Sequence, residues 1–170
     1  MRERVPEFHG SGTSVPATFR PLADPDSAAV RALVISVLAD VSYAEPMLAA
    51  LERAIQRAGD EYRAIVACEA SAPVGLIVFG EVAGARGAGR IHLVAVDPNA
   101  RQRGIALHLI DTACATLRER GCRLVTIELP ADARIANIRR LAGRAGFREE
   151  GRIDDFVGDG VALVLLRRDL

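Results

Sequence analysis

The stretch Val94-Ala95-Val96-Asp97-Pro98-Asn99-Ala100-Arg101-Gln102-Arg103-Gly104-Ile105-Ala106-Leu107 decides how this chain is read. An apolar strand runs into Asp97-Pro98-Asn99, where proline, with no N–H to offer a ladder, ends it. A basic loop follows, and the small residues Gly104 and Ala106 stand where a long helix begins. That helix is predicted over Gly104 to Arg120, with Leu107, Ile110, Cys114 and Leu117 on its buried face and Gly121 as its C-cap. The first N–H groups of a helix have no intrahelical partner, and small residues let an anion come close, so the stretch suits phosphate or pyrophosphate. Arg101 and Arg103 add charge at its rim. A plain strand–helix connection whose glycine eases packing would use the same residues, and both readings stand at this level. The three glycines of a dinucleotide fingerprint and the Gly-Lys-Ser/Thr of a Walker loop are absent.

Working outward, Thr18 to Leu22 reads as a strand. Asp24-Pro25 reads as a helix start, with an acceptor at the cap and proline in the first turn. Val30, Leu33, Val34, Val37 and Leu38 mark the buried stripe of the first helix. Met47, Leu48, Leu51, Ala54 and Ile55 mark that of a second, opened by Glu45-Pro46 and ended by Gly59-Asp60. Arg63 to Glu69 and Val74 to Val82 form a predicted hairpin around a turn at Ala70 to Pro73. A loop over Ala83 to Gly89 leads to the strand Arg90 to Val96. After the long helix come a strand at Arg123 to Leu129, a helix at Ala133 to Gly143 and a last hairpin. Its arms are Phe147 to Ile153 and Val161 to Arg168, with Asp154 to Gly160 as the turn. Residues 1–17 mix charge, Gly, Ser and Pro without a period and are expected to be a flexible tail, leaving 18–170 as one domain.

The 170 residues carry 22 basic and 22 acidic side chains, so the formal charge is zero, and half the residues are apolar. That composition suits one globular domain rather than a disordered chain. It also lacks the basic surplus of a protein held by nucleic-acid phosphates. No apolar run approaches the roughly 20 residues of a membrane span, and the N-terminal residues do not follow a signal-peptide pattern. Every basic residue is arginine, which reads as compositional bias. Cys68, Cys114 and Cys122 have no metal-ligand spacing and read as core thiols in a reducing compartment. The chain is therefore expected in the cytoplasm, without membrane or nucleic-acid partners and without a metal.

Val96-Asp97-Pro98 … Arg101-Gln102-Arg103-Gly104-Ile105-Ala106 resembles the Arg/Gln-x-x-Gly-x-Gly/Ala motif of the GNAT N-acetyltransferases. The element order from about Thr18 to Leu170 resembles the order of that family. The resemblance implies an α/β (α+β) GNAT acyl-CoA N-acyltransferase fold, a mixed, mostly antiparallel sheet flanked by helices and splayed between Arg90 to Val96 and Arg123 to Leu129. It implies acetyl-CoA or another acyl-CoA as donor. The pyrophosphate would lie on Gln102, Arg103, Gly104, Ile105, Ala106 and Leu107 with Arg101 at the rim, and the pantetheine along Val94, Ala95 and Val96. It further implies direct acyl transfer to an amine of a small molecule or protein, and a homodimer by family habit.

An alkyl amine of pKa about 10.4 is protonated at neutral pH, so attack needs a base. Glu128 is the first candidate. It interrupts the apolar run Thr126-Ile127-Glu128-Leu129 at a position where several family members place a glutamate. A salt bridge to Arg123 or Arg134 is its structural alternative. Glu81 and His92 are the second and third candidates. Asp154, Asp155 and Asp159 lie where the family often borders its acceptor site. The tyrosine that protonates the leaving thiolate in many members falls here on Ala142, and Asn137 is two residues out of register with the family asparagine. A non-catalytic acyl-CoA-binding sensor or regulatory module is the chief alternative, and a structural domain dimerising through its last strand is a weaker one.

Overall fold

The computed structural model describes residues 17–39, 41, 43–57 and 59–170, without the side chain of Arg134; the predicted tail lies outside these, except for Ala17. The chain runs through β1 (Thr18–Pro21), α1 (Ser27–Leu38), α2 (Ala44–Ile55), β2 (Arg63–Glu69), β3 (Ala72–Glu81), β4 (Ala88–Val96), α3 (Ile105–Glu119), β5 (Leu124–Pro130), α4 (Ala136–Arg144), β6 (Arg148–Gly158) and β7 (Val161–Asp169). The strands form one seven-stranded sheet in the order β1-β2-β3-β4-β5-β7-β6. Every neighbouring pair is antiparallel except β4 and β5, which run parallel. This is the α/β (α+β) architecture expected from the sequence.

Strand alternation divides the apolar residues between two cores. On one face α1 and α2 lay Val30, Val34 and Leu51 over Val66, Leu76, Val78 and Leu93. On the other, Leu109, Ile110, Ala113 and Leu117 of α3 pack with Ala142 of α4 on Ile77, Phe79, Val125, Ile127 and Leu129. Each fully buried Leu, Ile or Phe contributes about 1.5–3 kcal/mol, so these two stripes account for most of what holds the helices to the sheet. Arg31 grips Glu52 in a bidentate pair of 2.6 and 2.8 Å, fixing α2 against α1.

Three local expectations need correction. The acceptor at the start of the first helical segment is Asp26, not Asp24: its carboxylate takes the Ala23 N–H at 3.0 Å and both outer nitrogens of Arg20. Asp24 instead pairs with Arg57. The β2–β3 turn is only Ala70-Ser71, both left-handed at φ 45° and 72°, so β3 already starts at Ala72. Two left-handed central residues match the twist of the flanking strands. In the last hairpin, β6 runs on to Gly158. Asp154 and Asp155 lie inside the strand, where the register slips between Ile153 and Gly158, rather than in a wide turn.

Candidate functional site

The parallel joint between β4 and β5 is short. Its register runs from Ala88 opposite Leu124 to Ile91 opposite Ile127 and stops there. Just beyond the last pair, β4 carries a bulge: Phe79 faces Ile91 and Val78 faces Leu93, so His92 is the extra residue. A bulge bends its strand and re-aims side chains, and such devices gather next to active sites. Past it β4 stays paired to β3 while its β5-facing edge is unladdered. The Asp97 N–H bonds the Val74 carbonyl, so antiparallel alternation turns the polar backbone groups of Val94 and Val96 toward the open edge and those of Ala95 toward β3. Of the three residues assigned to the pantetheine, Ala95 therefore offers no free backbone on that edge. Arg101 Nε already donates to the Val96 carbonyl at 3.2 Å.

After β4, Asp97 caps a short turn by accepting the Asn99 N–H at 2.8 Å. The loop then passes through two left-handed residues, Gln102 at φ 62° and Gly104 at φ 80°. Gly104 is the N-cap of α3, and a Cβ built there would meet nothing within 4 Å. The first ladder bond of α3 runs from the His108 N–H to the Gly104 carbonyl at 3.0 Å. The N–H groups of Ile105, Ala106 and Leu107 thus precede the ladder and have no helical acceptor. An open glycine beside three such donors fits a pyrophosphate. Arg103 reaches from the loop to Glu69 at the end of β2, at 2.5 Å.

On the opposite face of the sheet a cleft of about 330 Å³ lies between α2 and the β4–β5 joint. Pro46, Ala49, Ala50 and Arg53, spaced along one face of α2, form one wall, with Tyr43 before them. Tyr62, Arg90, Ile91, His92 and Glu128 form the other. Val125, Ile127 and Leu129 point into the α3-side core, so Glu128 turns to the α2 side. Its Oε1 sits 2.9 Å from Arg90 Nη2. Among the described side chains Arg90, not Arg123, is the partner: one strand over and just before the bulge.

His92 Nε2 lies 3.1 Å from the Glu61 carbonyl, to which it donates, and its ring stacks on Tyr62 with centroids 4.8 Å apart. Burial, with the Arg90 charge adding, pushes its pKa down to about 4. The ring is neutral at physiological pH. Gly80 makes this anchor possible, since a Cβ there would lie 2.2 Å from the Glu61 carbonyl group.

The structure brings Glu128 and His92 together and leaves Glu81 apart. Glu81 is the last residue of β3, bound to Arg120 Nε at 2.5 Å, and does not line the cleft. Asn137 is exposed on α4, where its carbonyl accepts from Arg140. Ala142, at the family's tyrosine position, is buried with no group to donate a proton. Asp154 pairs with Arg152 at 2.7 Å and Asp155 accepts the Gly160 N–H, so both serve the hairpin locally. Burial raises the pKa of all three cysteine thiols, which suits core packing and not nucleophilic attack. Among the described residues no group of three or more His, Cys, Asp or Glu could hold a metal, and no helix is long and apolar enough to cross a membrane.

The sequence placed the acceptor pocket in the region Val37 to Tyr62 but singled out neither Arg53 nor Tyr62 within it, nor Arg90 on β4. Only the parallel pairing of β4 with β5 and the seat of α2 bring them together, though Arg90, two residues before His92, lay in a strand already singled out.

The family model described as "Acetyltransferase (GNAT) family" matches residues 33–147. Among solved structures, a GNAT-family protein from Desulfovibrio desulfuricans superposes with a TM-score of 0.80 at 22% identity, covering 90% of this chain and 98% of that one. A ribosomal-protein-alanine N-acetyltransferase from Brucella melitensis gives 0.72 at 21% identity, covering 90% and 99%. An acetyltransferase from Salmonella typhimurium, solved with its cofactor acetyl-CoA, gives 0.71 at 20% identity, covering 91% and 94%. No curated protein matches the sequence.

Proposed function

Because this chain belongs to the GNAT acetyltransferase family, we propose that it moves an acetyl group from acetyl-CoA to a primary amine that enters through the α2-side cleft. The observation that carries this reading is the end of the β4–β5 ladder at Ile91 and Ile127. It leaves an open backbone edge leading to the donor cradle at the start of α3, while Glu128 and the cleft face the other side.

Acetyl-CoA, when bound, supplies an acyl thioester with a thiol as leaving group. The N–H groups of Ile105, Ala106 and Leu107 hold its pyrophosphate, with Gln102, Gly104 and the arginines around them, and Val94 and Val96 lend backbone groups to the pantetheine. Glu128 is the base. Arg90 engages Oε1 and holds the carboxylate across the joint. The Glu128 carboxylate takes the proton of the acceptor ammonium directly or through one water. His92, neutral and tied to Glu61 by Nε2, orients the wall and is not the principal base. A thiol pKa of about 8.5 makes a fair leaving group, so the missing tyrosine at Ala142 is chemically tolerable.

That same missing donor favours the second reading, a non-catalytic acyl-CoA-binding module. Thermal unfolding with acetyl-CoA and CoA, against NAD and ATP as controls, tests the donor site. At 100 times its dissociation constant a ligand stabilises by about 2.7 kcal/mol. Thiol release with amines, lost in Glu128→Gln, supports the enzyme; binding without turnover supports the module; no shift with either CoA form overturns both.

A further inference from the structure

The acceptor cleft carries an unbalanced positive charge. Arg53 and Arg90 line it, and Glu128 is the only carboxylate among the described lining residues. Arg90 faces Glu128 through Nη2 at 2.9 Å, and its Nε, turned into the protein, is buried without a hydrogen-bond partner among the described residues. Among the described residues Arg53 pairs with no carboxylate. Its guanidinium carbon stands 5.1 Å from the Tyr62 ring centroid, and Nη1 makes only a long 3.5 Å contact with the Tyr62 hydroxyl. Tyr62 in turn stacks on His92, whose ring is tethered to the Glu61 carbonyl. Arg53, Tyr62 and His92 thus build one continuous wall that backs the guanidinium with a π-face, and among the described residues most of its N–H donors are unspent. A guanidinium held this way keeps its planar fork ready for a bidentate carboxylate, and less ordering entropy is lost on binding.

We propose that the acceptor is a small amino acid or amino-acid-like compound, its carboxylate held by Arg53 while its amine is presented to Glu128. This rests on the acyltransfer reading above and specifies its acceptor. A volume of about 330 Å³ suits such a small molecule. Tyr43, Pro46, Ala49 and Ala50 give the remainder of the α2-side wall an apolar and aromatic character suited to an uncharged side chain. Polyamines and aminoglycosides would set a second cation against Arg53 with only Glu128, already paired, to offset it.

The test compares acetyl-CoA-dependent thiol release with leucine, methionine and phenylalanine against their carboxamides, with spermidine as the cationic control. The amides have the less basic amine, which is easier to deprotonate, so a preference for the acids runs against intrinsic reactivity. Wild type is expected to favour at least one free acid over its amide by about 10- to 100-fold in kcat/KM, the worth of a charge-assisted hydrogen-bonded pair. Arg53→Met should abolish that ratio while leaving the acetyl-CoA thermal shift intact. Amides or spermidine used as well as the acids, or a ratio unchanged in Arg53→Met, would overturn the proposal. If no acceptor is turned over, thermal shifts with the same acids and amides, with and without CoA, decide it. An acid-specific shift lost in Arg53→Met supports the clamp, and its absence overturns it. The acetyl-CoA shift separately reports failure of the donor reading.

Discussion

Replacing Gly104 by alanine separates the fold from the donor site in one experiment. Gly104 sits at φ 80°, and a Cβ there meets no atom within 4 Å, so the cost to the free protein is conformational and not steric. A left-handed alanine costs about 1–2 kcal/mol, partly offset by the smaller entropy of the unfolded chain. The net loss of about 1 kcal/mol lowers Tm by roughly 2–4 °C for a domain this size. The added methyl, however, enters the open space beside the start of α3 that a bound pyrophosphate would occupy. Losing one charge-assisted bond to pyrophosphate would weaken affinity about 30-fold, for a loss of about 2 kcal/mol. At a ligand concentration giving the wild type about 2.7 kcal/mol of stabilisation, the variant would then gain only about 0.9 kcal/mol. Thermal unfolding with and without acetyl-CoA therefore predicts a small drop in the unliganded Tm and a much larger drop in the ligand-induced shift. An undiminished ligand-induced shift would show that the start of α3 does not hold the pyrophosphate.

Glu128→Gln should keep the contact to Arg90 and the fold while lowering kcat by about 10²- to 10⁴-fold, the usual worth of a positioned base; stopped-flow thiol release checks it, and full retention of kcat would remove Glu128 from that role. His92 should titrate near pH 4 by ring-resolved NMR, against about 6.5 for the unfolded chain. The unfolded state then binds more protons between these values, so stability should rise with pH across that window and less so in His92→Gln. The Arg20 hydrogen bonds hold the Asp26 carboxyl below the usual carboxylate range. Its stabilising contribution is therefore present above about pH 4 and lost as pH falls through the folded value. Asp26→Asn should cost about 1–2 kcal/mol at neutral pH and flatten the acid limb of the unfolding curve, as read by denaturation at stepped pH.

What could be read from the residues was whatever depended on period and local chemistry. The helix from Gly104, its open N-terminus and the strand before it follow from spacing, and α1 and α2 bury the expected stripes, with Val37, Leu48 and Ile55 only partly covered. The turn expected over Ala70 to Pro73 was read two residues too long because neither Ala70 nor Ser71 is glycine or asparagine, the usual markers of a left-handed pair. Asp24 and Asp26 flank the same proline, and only the position of Arg20 on β1 decides which carboxylate turns inward. The aspartates of β6 looked like turn residues because the register slip that absorbs them leaves no local mark. The cleft was the least legible part. Glu128 and His92 stood out as polar interruptions of apolar strands, but Arg53 and Arg90 were two arginines among many until pairing across the sheet brought them to one place.

The two cores have no fully buried residue in common. Changes on the α2 wall and at the start of α3 therefore fall in separate packing environments. Distant sites without shared partners combine additively to within about 0.3–0.5 kcal/mol. Drift in acceptor preference along positions 46, 49 and 53 can thus accumulate without disturbing the donor cradle, whereas Ala50, buried in the α2-side core, ties the cleft to the packing beneath it.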